Sequence, residues 1–109
     1  MTEIPFEEWK KMDLRIGEIL DVQEHPDAGK LFVLTVDLGT ERRTVVAGIK
    51  PYYTKEELKG KQVVIFTNLH QRIIRGIKSE GMLLAAGEKD GTVALLQPEK
   101  NVNNGTAIQ

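Results

Sequence analysis

The residues best suited to chemistry lie in one stretch, from Asn68 to Met82, between two apolar segments. This stretch holds three cations spaced by three residues, an amide, a hydroxyl and two glycines: Arg72, Arg75, Lys78, Asn68, Ser79, Gly76 and Gly81. Cationic, amide and hydroxyl side chains on flexible backbone are the groups that contact phosphates and base edges. The pattern therefore predicts a nucleic-acid contact. Its alternative is a solvated loop whose charges only protect a sheet edge from aggregation.

Charge is distributed asymmetrically along the chain, although the total is close to zero. The net charge is −1 at pH 7, which argues against a nonspecific nucleic-acid binder. Residues 1–41 contain four Lys or Arg against ten Asp or Glu, whereas residues 42–78 contain nine against two. A concentrated positive segment indicates an anionic partner, provided that folding keeps these charges together on the surface.

The composition of the 109 residues limits the classes of protein to consider. A chain of this length is one ordinary domain with room for a hydrophobic core. It contains no cysteine, which excludes disulfides, thiolate nucleophiles and zinc–thiolate sites. No apolar run approaches the roughly 18 residues that span a bilayer, and the acidic N-terminus is unlike a signal peptide. We therefore expect a cytoplasmic protein without a membrane segment.

The sequence contains no residue pattern typical of a catalytic site. His25 and Asp27 could be drawn as two metal ligands, but no further residue with ligand spacing accompanies them. Ser79 and Glu80 have no neighbouring base that would complete a triad, and no Walker or Rossmann glycine loop is present. We therefore expect no catalytic residues, no metal and no cofactor.

Alternating hydrophobic residues predict a mostly β chain. The predicted strands are 13–23, 31–38, 43–49, 63–67 and 92–96, with further extended pieces at 81–86 and 106–108. A short helix is expected at residues 55–58, with Thr54 and Glu57 as a capping box and Gly60 as its stop. Five strands with one helix between the third and fourth is the element order of a five-stranded OB-fold barrel, although a small α+β sandwich could share it.

Residues 4–12 predict an additional helix at the N-terminus. Pro5 suits the first helical position, and acidic residues precede basic ones along the segment. Phe6 and Trp9 lie three residues apart and therefore share one face. That face either caps its own domain or forms a subunit interface, where aromatic residues are enriched. We treat 1–109 as a single domain with an N-terminal extension at 1–12 and a C-terminal extension at 98–109.

Several blocks of the sequence resemble the tRNA-binding OB domain family, in the family's order along the chain. They are residues 13–19, 25–31, 37–39, 46–49 with 51–53, 68–69, 75–76 and 79–85. The resemblance covers residues 6 to 108, and the blocks together are far more specific than any one of them. The family includes domains of methionyl-tRNA synthetases, synthetase-associated subunits and free-standing structure-specific tRNA-binding proteins. The resemblance implies an OB fold that recognises the shape of tRNA.

The resemblance also implies which residues contact tRNA. The family's motif falls on Asn68, Arg72, Arg75, Ser79 and Met82. Arginine can fork onto phosphates, and serine can reach a phosphate or a ribose hydroxyl. Met82 offers an apolar platform for a base or sugar, although a methionine beside leucines is also typical of a core. Peripheral phosphate contacts are expected at Lys30, Arg42 and Lys78. The alternative, that each is only a solvated surface charge, is equally consistent with the sequence.

For members of this length the resemblance implies a homodimer, which favours Phe6 and Trp9 as interface residues. The chain departs from the family after the fourth predicted strand, where members usually have Asn-Leu-Lys-Pro and this chain has Asn68-Leu69-His70-Gln71. A cation and a rigid proline are lost, and an ordinary imidazole is mostly uncharged near neutral pH. We therefore expect the charge and shape of this segment to differ from those of other members of the family.

Three functions are consistent with the resemblance. The first is structure-specific tRNA binding, either as a free-standing dimer or as the partner of a methionyl-tRNA synthetase. The second is peptide binding by an export-related, chaperone-like protein of the same fold, and the third is assembly of a synthetase complex. Peptide binding calls for a large exposed apolar patch, and six aromatics in a chain that is 40% hydrophobic supply little beyond a core. We therefore expect a tRNA-binding protein rather than an enzyme.

Overall fold

The structure, a computed structural model, describes residues 1–109. The chain forms two short helices and nine strands, in the order α1 (Phe6–Trp9), β1 (Leu14–Glu24), β2 (Phe32–Asp37), β3 (Arg42–Ala47), α2 (Lys55–Leu58), β4 (Gln62–Phe66), β5 (Arg72–Ile74), β6 (Ile77–Ser79), β7 (Met82–Leu83), β8 (Ala85–Gly87) and β9 (Val93–Leu95). The β-rich character expected from the alternating pattern is confirmed. Neither helix has the length and apolarity needed to cross a membrane.

Five strands form one antiparallel sheet in the order β3-β2-β1-β4-β7. β1 is the longest strand and has two partners, because its first half pairs with β4 and its second half with β2. The register against β2 shifts between Ile19 and Asp21, which indicates a bulge where β1 bends. At Gly17 a Cβ atom would lie 2.5 Å from a methyl group of Val36, so the packing requires glycine there.

The two edges of this sheet approach one another at Ser79 and Glu80, so that the sheet is a nearly closed barrel. Glu80 donates its backbone N–H to the carbonyl of Thr44 at 2.8 Å, and its carboxylate accepts the N–H of Thr44 at 2.9 Å. The hydroxyl of Ser79 accepts the N–H of Val46 at 3.0 Å. These bonds satisfy backbone groups that the edge of β3 would otherwise leave unpaired. The five-stranded OB-like barrel is confirmed.

Alternate side chains from β1 to β4 fill the barrel. The main core consists of eleven buried residues: Ile19, Val22, Phe32, Leu34, Val36, Leu38, Val45, Ile49, Leu58, Val63 and Ile65. Leu58 comes from α2 and is fully buried. The capping box predicted for this helix is present, since Thr54 accepts the N–H of Glu57 and Glu57 accepts the N–H of Thr54. Gly60 follows the helix with φ +90°, a conformation that favours glycine.

The pairing of the last strands differs from the prediction. The fifth strand of the sheet is β7, whereas the strand predicted at 92–96 forms a separate hairpin with β8. The piece predicted at 106–108 makes only an isolated bridge, between Ala107 and Arg15. Alternation along the chain identifies an extended segment but not its partner, because the partner depends on long-range packing.

The N-terminal helix is shorter than predicted. It covers only Phe6–Trp9, and Pro5 is its N-cap, in an extended conformation, instead of its first helical residue. Two ion pairs, Glu7 with Lys10 and Glu8 with Lys11, lie on its surface. No residue of α1 is buried, so the helix has no packing against the barrel that would extend it.

Candidate nucleic-acid interface

The stretch predicted as a flexible loop contains an ordered β hairpin, residues 72–79, which we call the cationic hairpin. Arg72 pairs with Ser79, Ile73 with Lys78, and Ile74 with Ile77. The two turn residues, Arg75 and Gly76, have positive φ angles of 51° and 90°. Two left-handed residues in sequence form the tight turn whose twist matches that of antiparallel strands. The glycine therefore permits a defined turn.

The pleat of the hairpin separates the three cations that are evenly spaced in the sequence. Directly paired residues of antiparallel strands share a face, so Arg72 lies on the face of Ser79 and Lys78 on the opposite face, beside Ile73. Arg75 lies in the turn and donates a guanidinium N–H to the carbonyl of Asp27 at 2.9 Å. The cationic hairpin consequently carries positive charge on both faces and at its tip, and all three side chains are exposed.

Ser79 is buried, in contrast to these cations, with 2% of its surface exposed. Its hydroxyl accepts the N–H of Val46 and donates to the carbonyl of Gly81, both at 3.0 Å. The structure therefore gives Ser79 a role in attaching the cationic hairpin to β3, and an RNA contact would compete with these bonds. Met82 is half-buried and pairs with Phe66 in the sheet, which leaves part of its side chain accessible.

The side chain of Asn68 connects the end of β4 to the N-terminal segment. Its Oδ1 accepts the N–H of Asp13 at 2.8 Å, and its Nδ2 donates to the carbonyl of Lys11 at 2.7 Å. The residue is nevertheless exposed. An amide offers two donors and two lone pairs, so one donor and one acceptor site stay available for a base edge or a ribose.

The predicted contact cations are free of carboxylate partners. Six ion pairs form in the structure, and none of them includes Lys30, Arg42, Arg72, Arg75 or Lys78. Lys30 lies in the β1–β2 loop, which the Arg75–Asp27 bond joins to the hairpin tip. Arg42 opens β3 opposite Asp37, at the far end of that strand from the loop. The structure therefore joins the loop that contains Lys30 to the hairpin tip, and it places Arg42 at the opposite end of β3 from that loop.

Arg15 illustrates the opposite case, a cation that is already neutralised. It donates to Asp13 at 2.9 Å through Nε and through a second guanidinium nitrogen. This hydrogen bond lowers the pKa of the Asp13 carboxyl below its usual range and raises the pKa of Arg15. A phosphate would have to displace this carboxylate, so Arg15 is a poorer candidate for RNA contact than the unpaired cations.

His25, noted in the sequence only as an isolated metal-ligand candidate, connects two loops. Its ring is buried, with 4% exposed. Nδ1 accepts the backbone N–H of Asp27 at 3.0 Å, and Nε2 lies 3.2 Å from the carbonyl of Ile74. Because a carbonyl can only accept, Nε2 carries the proton and Nδ1 does not. Both ring nitrogens are used within the protein.

Arg43 is a second residue that sequence reasoning missed. Its guanidinium donates to the carbonyls of Thr67 and Glu80 and pairs with Glu41. The two carbonyls belong to residues 24 and 37 positions away, so no local spacing could have revealed the contact. Through these bonds Arg43 joins β3 to Thr67, before the cationic hairpin, and to Glu80, directly after it.

The N-terminal segment, residues 1–12, exposes an unusual amount of apolar surface. Phe6 is 67% exposed, Trp9 37% and Ile4 69%, and Met12 is 41% exposed. None of the residues of α1 is buried against the barrel. Phe6 is therefore open to another surface, whereas most of the Trp9 side chain is already covered within the chain, so both alternatives for this face stay open.

Comparison with known proteins identifies the class to which this barrel belongs. The family model described as "Putative tRNA binding domain" matches residues 14–107. The chain belongs to this tRNA-binding domain family, as its sequence blocks predicted.

The relatives associate the chain with methionine--tRNA ligases. It is 54% identical over 111 residues to the methionine--tRNA ligase of Pyrococcus furiosus, and 52% identical over 106 residues to that of Thermococcus onnurineus. These alignments cover 100% and 97% of this chain but only 15% and 14% of the ligases. The chain therefore spans about a seventh of the length of these relatives.

Solved structures of the same size have the same fold. The MetRS related protein from Pyrococcus horikoshii matches with a TM-score of 0.93 and 32% identity, and both chains are covered completely. The chaperone CsaA from Bacillus anthracis matches with a TM-score of 0.89 and 33% identity over 99% of this chain and 100% of that one. The expected relation to synthetase domains and to free-standing proteins of the family is confirmed.

Proposed function

We propose that this domain binds the folded body of tRNA through the cationic hairpin and the adjoining β1–β2 loop. The observation that carries the proposal is the set of exposed cations without carboxylate partners, on a chain of the tRNA-binding family. Such cations can neutralise phosphates without first losing an internal ion pair. Because they are distributed over two faces and a tip, they suit a curved RNA surface, and recognition depends on shape.

Each predicted residue has a distinct part in this proposal. Arg72, Arg75 and Lys78 contact phosphates, and Lys30 extends the positive surface from the neighbouring loop. Asn68 contacts RNA with its remaining donor and acceptor. The exposed part of Met82 packs on a sugar or base. Ser79 supports the site from beneath, and Arg42 contacts a separate part of a large RNA.

The domain acts, in this proposal, as a homodimer, either free-standing or as the partner of a methionine--tRNA ligase. The exposed apolar residues of the N-terminal segment support the dimer, since aromatic side chains of this kind are typical of interface cores. The Pyrococcus furiosus ligase supports an association with a methionine--tRNA ligase, because a segment of that enzyme aligns with this entire chain. The chain delivers or retains tRNA, and the chemical step belongs to the ligase.

The first experiment is a filter-binding comparison of folded tRNA with single-stranded RNA of equal length, over a range of salt concentrations. If each copy engages on the order of three to five phosphates, log affinity falls against log salt with a slope of about −2 to −4. We expect Arg72→Ala and Arg75→Ala each to reduce that slope by about one. Lys89→Ala is the matched control, because Lys89 is an exposed cation in the turn between β8 and β9.

The results would contradict the proposal in two ways. Binding that does not depend on salt would show that phosphate contacts are not its basis. Equal affinity for folded tRNA and for single-stranded RNA would show that the protein does not recognise shape.

Peptide binding is the second candidate, because the matched CsaA structure is described as a chaperone. The apolar surface that could receive a peptide is concentrated in the N-terminal segment, which our proposal assigns to the dimer. A fluorescent apolar peptide titrated into the protein, with and without saturating tRNA, separates the two functions. Tight peptide binding together with no tRNA binding at low salt would favour the second candidate.

A further inference from the structure

We infer that His25, in its neutral Nε2–H form, is the positioning residue that holds the cationic hairpin against the β1–β2 loop. The effect of His25 on tRNA affinity rests on the proposed tRNA-binding function. The hydrogen bond between His25 and Ile74 is present without RNA. It concerns a side chain that is buried and therefore cannot itself contact a ligand.

The cationic hairpin is covered on one face only, where Ile74 and Ile77 are half-buried and Ser79 is buried. β5 and β6 form a separate two-stranded sheet outside the five-stranded one. Arg72 and Ile73 of β5 are exposed, Ile73 to 74%. A two-stranded hairpin is marginally stable in water unless other elements support it. Its direction therefore depends on this single covered face and on the few hydrogen bonds that attach the hairpin to the barrel.

These bonds lie at two levels along the hairpin. Ser79 attaches its base to β3 through Val46. His25 attaches the region next to its tip, because Nε2–H donates to the carbonyl of Ile74. The base alone would leave the tip free to pivot, whereas two separated attachments define a direction.

The histidine is itself held firmly. Its backbone N–H donates to the carbonyl of Leu31 at 3.2 Å, and its Nδ1 accepts the N–H of Asp27. The carbonyl of Asp27 in turn accepts a hydrogen bond from Arg75. His25, Ile74, Arg75 and Asp27 thus form a closed ring of contacts between the loop and the hairpin tip.

This ring prepares Arg75 for binding. Its guanidinium has five N–H groups, and the bond to Asp27 uses one of them. The others are available for a phosphate while the side chain is already ordered. Ordering a binding group in advance reduces the entropy lost on association. His25 therefore contributes to affinity without touching the RNA.

Two amide substitutions separate the two bonds of the ring. In His25→Asn the amide oxygen takes the place of Nδ1 and keeps the bond to Asp27, but the side chain is too short to reach Ile74. In His25→Gln the amide nitrogen takes the place of Nε2 and keeps the bond to Ile74. Lys89→Ala is again the control, because Lys89 lies in the turn between β8 and β9 and takes no part in this ring of contacts.

We expect His25→Asn to fold and to bind tRNA about three- to tenfold more weakly, in line with the loss of one buried hydrogen bond. His25→Gln should stay within about twofold of the unsubstituted protein, because the bond to the hairpin survives. Equal losses in the two variants would overturn the inference, since the bond to Ile74 would then have no special role. Unchanged affinity in His25→Asn would overturn it as well.

Measurements without RNA keep this test distinct from the proposed function. Nitrogen-15 spectra of the imidazoles should show His25 as the Nε2–H tautomer, and the amides of residues 74–77 should exchange faster in His25→Asn than in His25→Gln. The Nδ1–H tautomer, or equal exchange rates, would overturn the inference. If the unsubstituted protein binds no tRNA, the proposed function fails, and these spectra still decide the role of His25.

Discussion

Asn68 and Ser79 show that polar side chains in the predicted contact motif also serve the fold. Ser79 uses its only O–H donor and one lone pair on two backbone groups, whereas Asn68 uses one of its two donors and one lone pair. Short polar side chains reach neighbouring backbone, and buried backbone groups need such partners. Long cationic side chains reach past the backbone into solvent, which explains why the two arginines of the motif and the peripheral lysines are exposed.

Substitution of Asn68 distinguishes its two roles. Asn68→Asp keeps an acceptor for Asp13 but loses the donor to Lys11 and adds a negative charge, whereas Asn68→Ala loses both bonds. We expect Asn68→Ala to lower the free energy of unfolding by about 1–3 kcal/mol, measured in urea. We expect Asn68→Asp to bind tRNA more weakly than Asn68→Ala, because its charge repels phosphate. Stronger tRNA binding by Asn68→Asp than by Asn68→Ala would indicate that Asn68 is only structural.

Asp13 makes the stability sensitive to acid. The hydrogen bond from Arg15 lowers the pKa of this carboxyl below its ordinary value of 3.8. A carboxyl whose pKa is lower in the folded state contributes stability above pH 4, and this contribution disappears as the pH falls through the lowered pKa. We expect the Tm of Asp13→Asn to fall less steeply below pH 4 than that of the unsubstituted protein. Asp21→Asn, within β1, is the control, and parallel curves for the two variants would refute the role of Asp13.

At the scale of elements, local and distant interactions divide clearly between α2 and the cationic hairpin. Helix α2 is defined by residues within a few positions of one another, through its capping box and Gly60. The hairpin has a local turn at Arg75 and Gly76, but its direction depends on β3 and on the β1–β2 loop. A substitution in α2 should therefore affect stability alone, whereas one in the hairpin's attachments should affect RNA binding.

Thr54→Ala tests whether a substitution at the cap of α2 affects stability alone. Loss of an N-cap hydroxyl should lower the free energy of unfolding by about 0.5–2 kcal/mol. Affinity for tRNA should stay the same at temperatures where the variant is folded, because α2 contributes no residue to the cationic hairpin. Thr40→Ala, at an exposed position in the β2–β3 turn, is the control for both measurements. A large loss of tRNA affinity in folded Thr54→Ala would place α2 in the binding surface.

At the scale of the whole molecule, the barrel has two surfaces of opposite character. The cationic hairpin and the β1–β2 loop offer exposed positive charge, and the N-terminal segment offers exposed apolar side chains. Asn68, between β4 and the cationic hairpin, bonds to the backbone of Asp13 and Lys11 and so attaches the N-terminal segment to the end of β4. A dimer formed through the N-terminal segment would consequently set the relative positions of two binding surfaces.

Removal of the aromatic pair tests the dimer. We expect Phe6→Ala with Trp9→Ala to halve the mass measured by light scattering, because the exposed part of these aromatic side chains would form the core of the proposed interface. Tyr52→Ala is the matched control, since Tyr52 is also exposed, at 47%. We expect the monomer to bind tRNA more weakly, because a second linked contact raises the effective concentration. An unchanged mass would refute the proposed interface.

The amino-acid sequence by itself determined the first four strands of the barrel, the capped helix α2 and the family. The strands follow from side-chain alternation, the helix from its caps, and the family from short sequence motifs. All three signals come from residues close together in the chain. The sequence also identified the cations, because long charged side chains are rarely buried.

Only the tertiary structure decided which strand closes the sheet, that Ser79 is buried, and that His25 holds the hairpin tip. The Ser79–Val46 and His25–Ile74 bonds join residues 33 and 49 positions apart. The partner of a buried polar group depends on which distant segments pack against one another, and no local pattern contains that information.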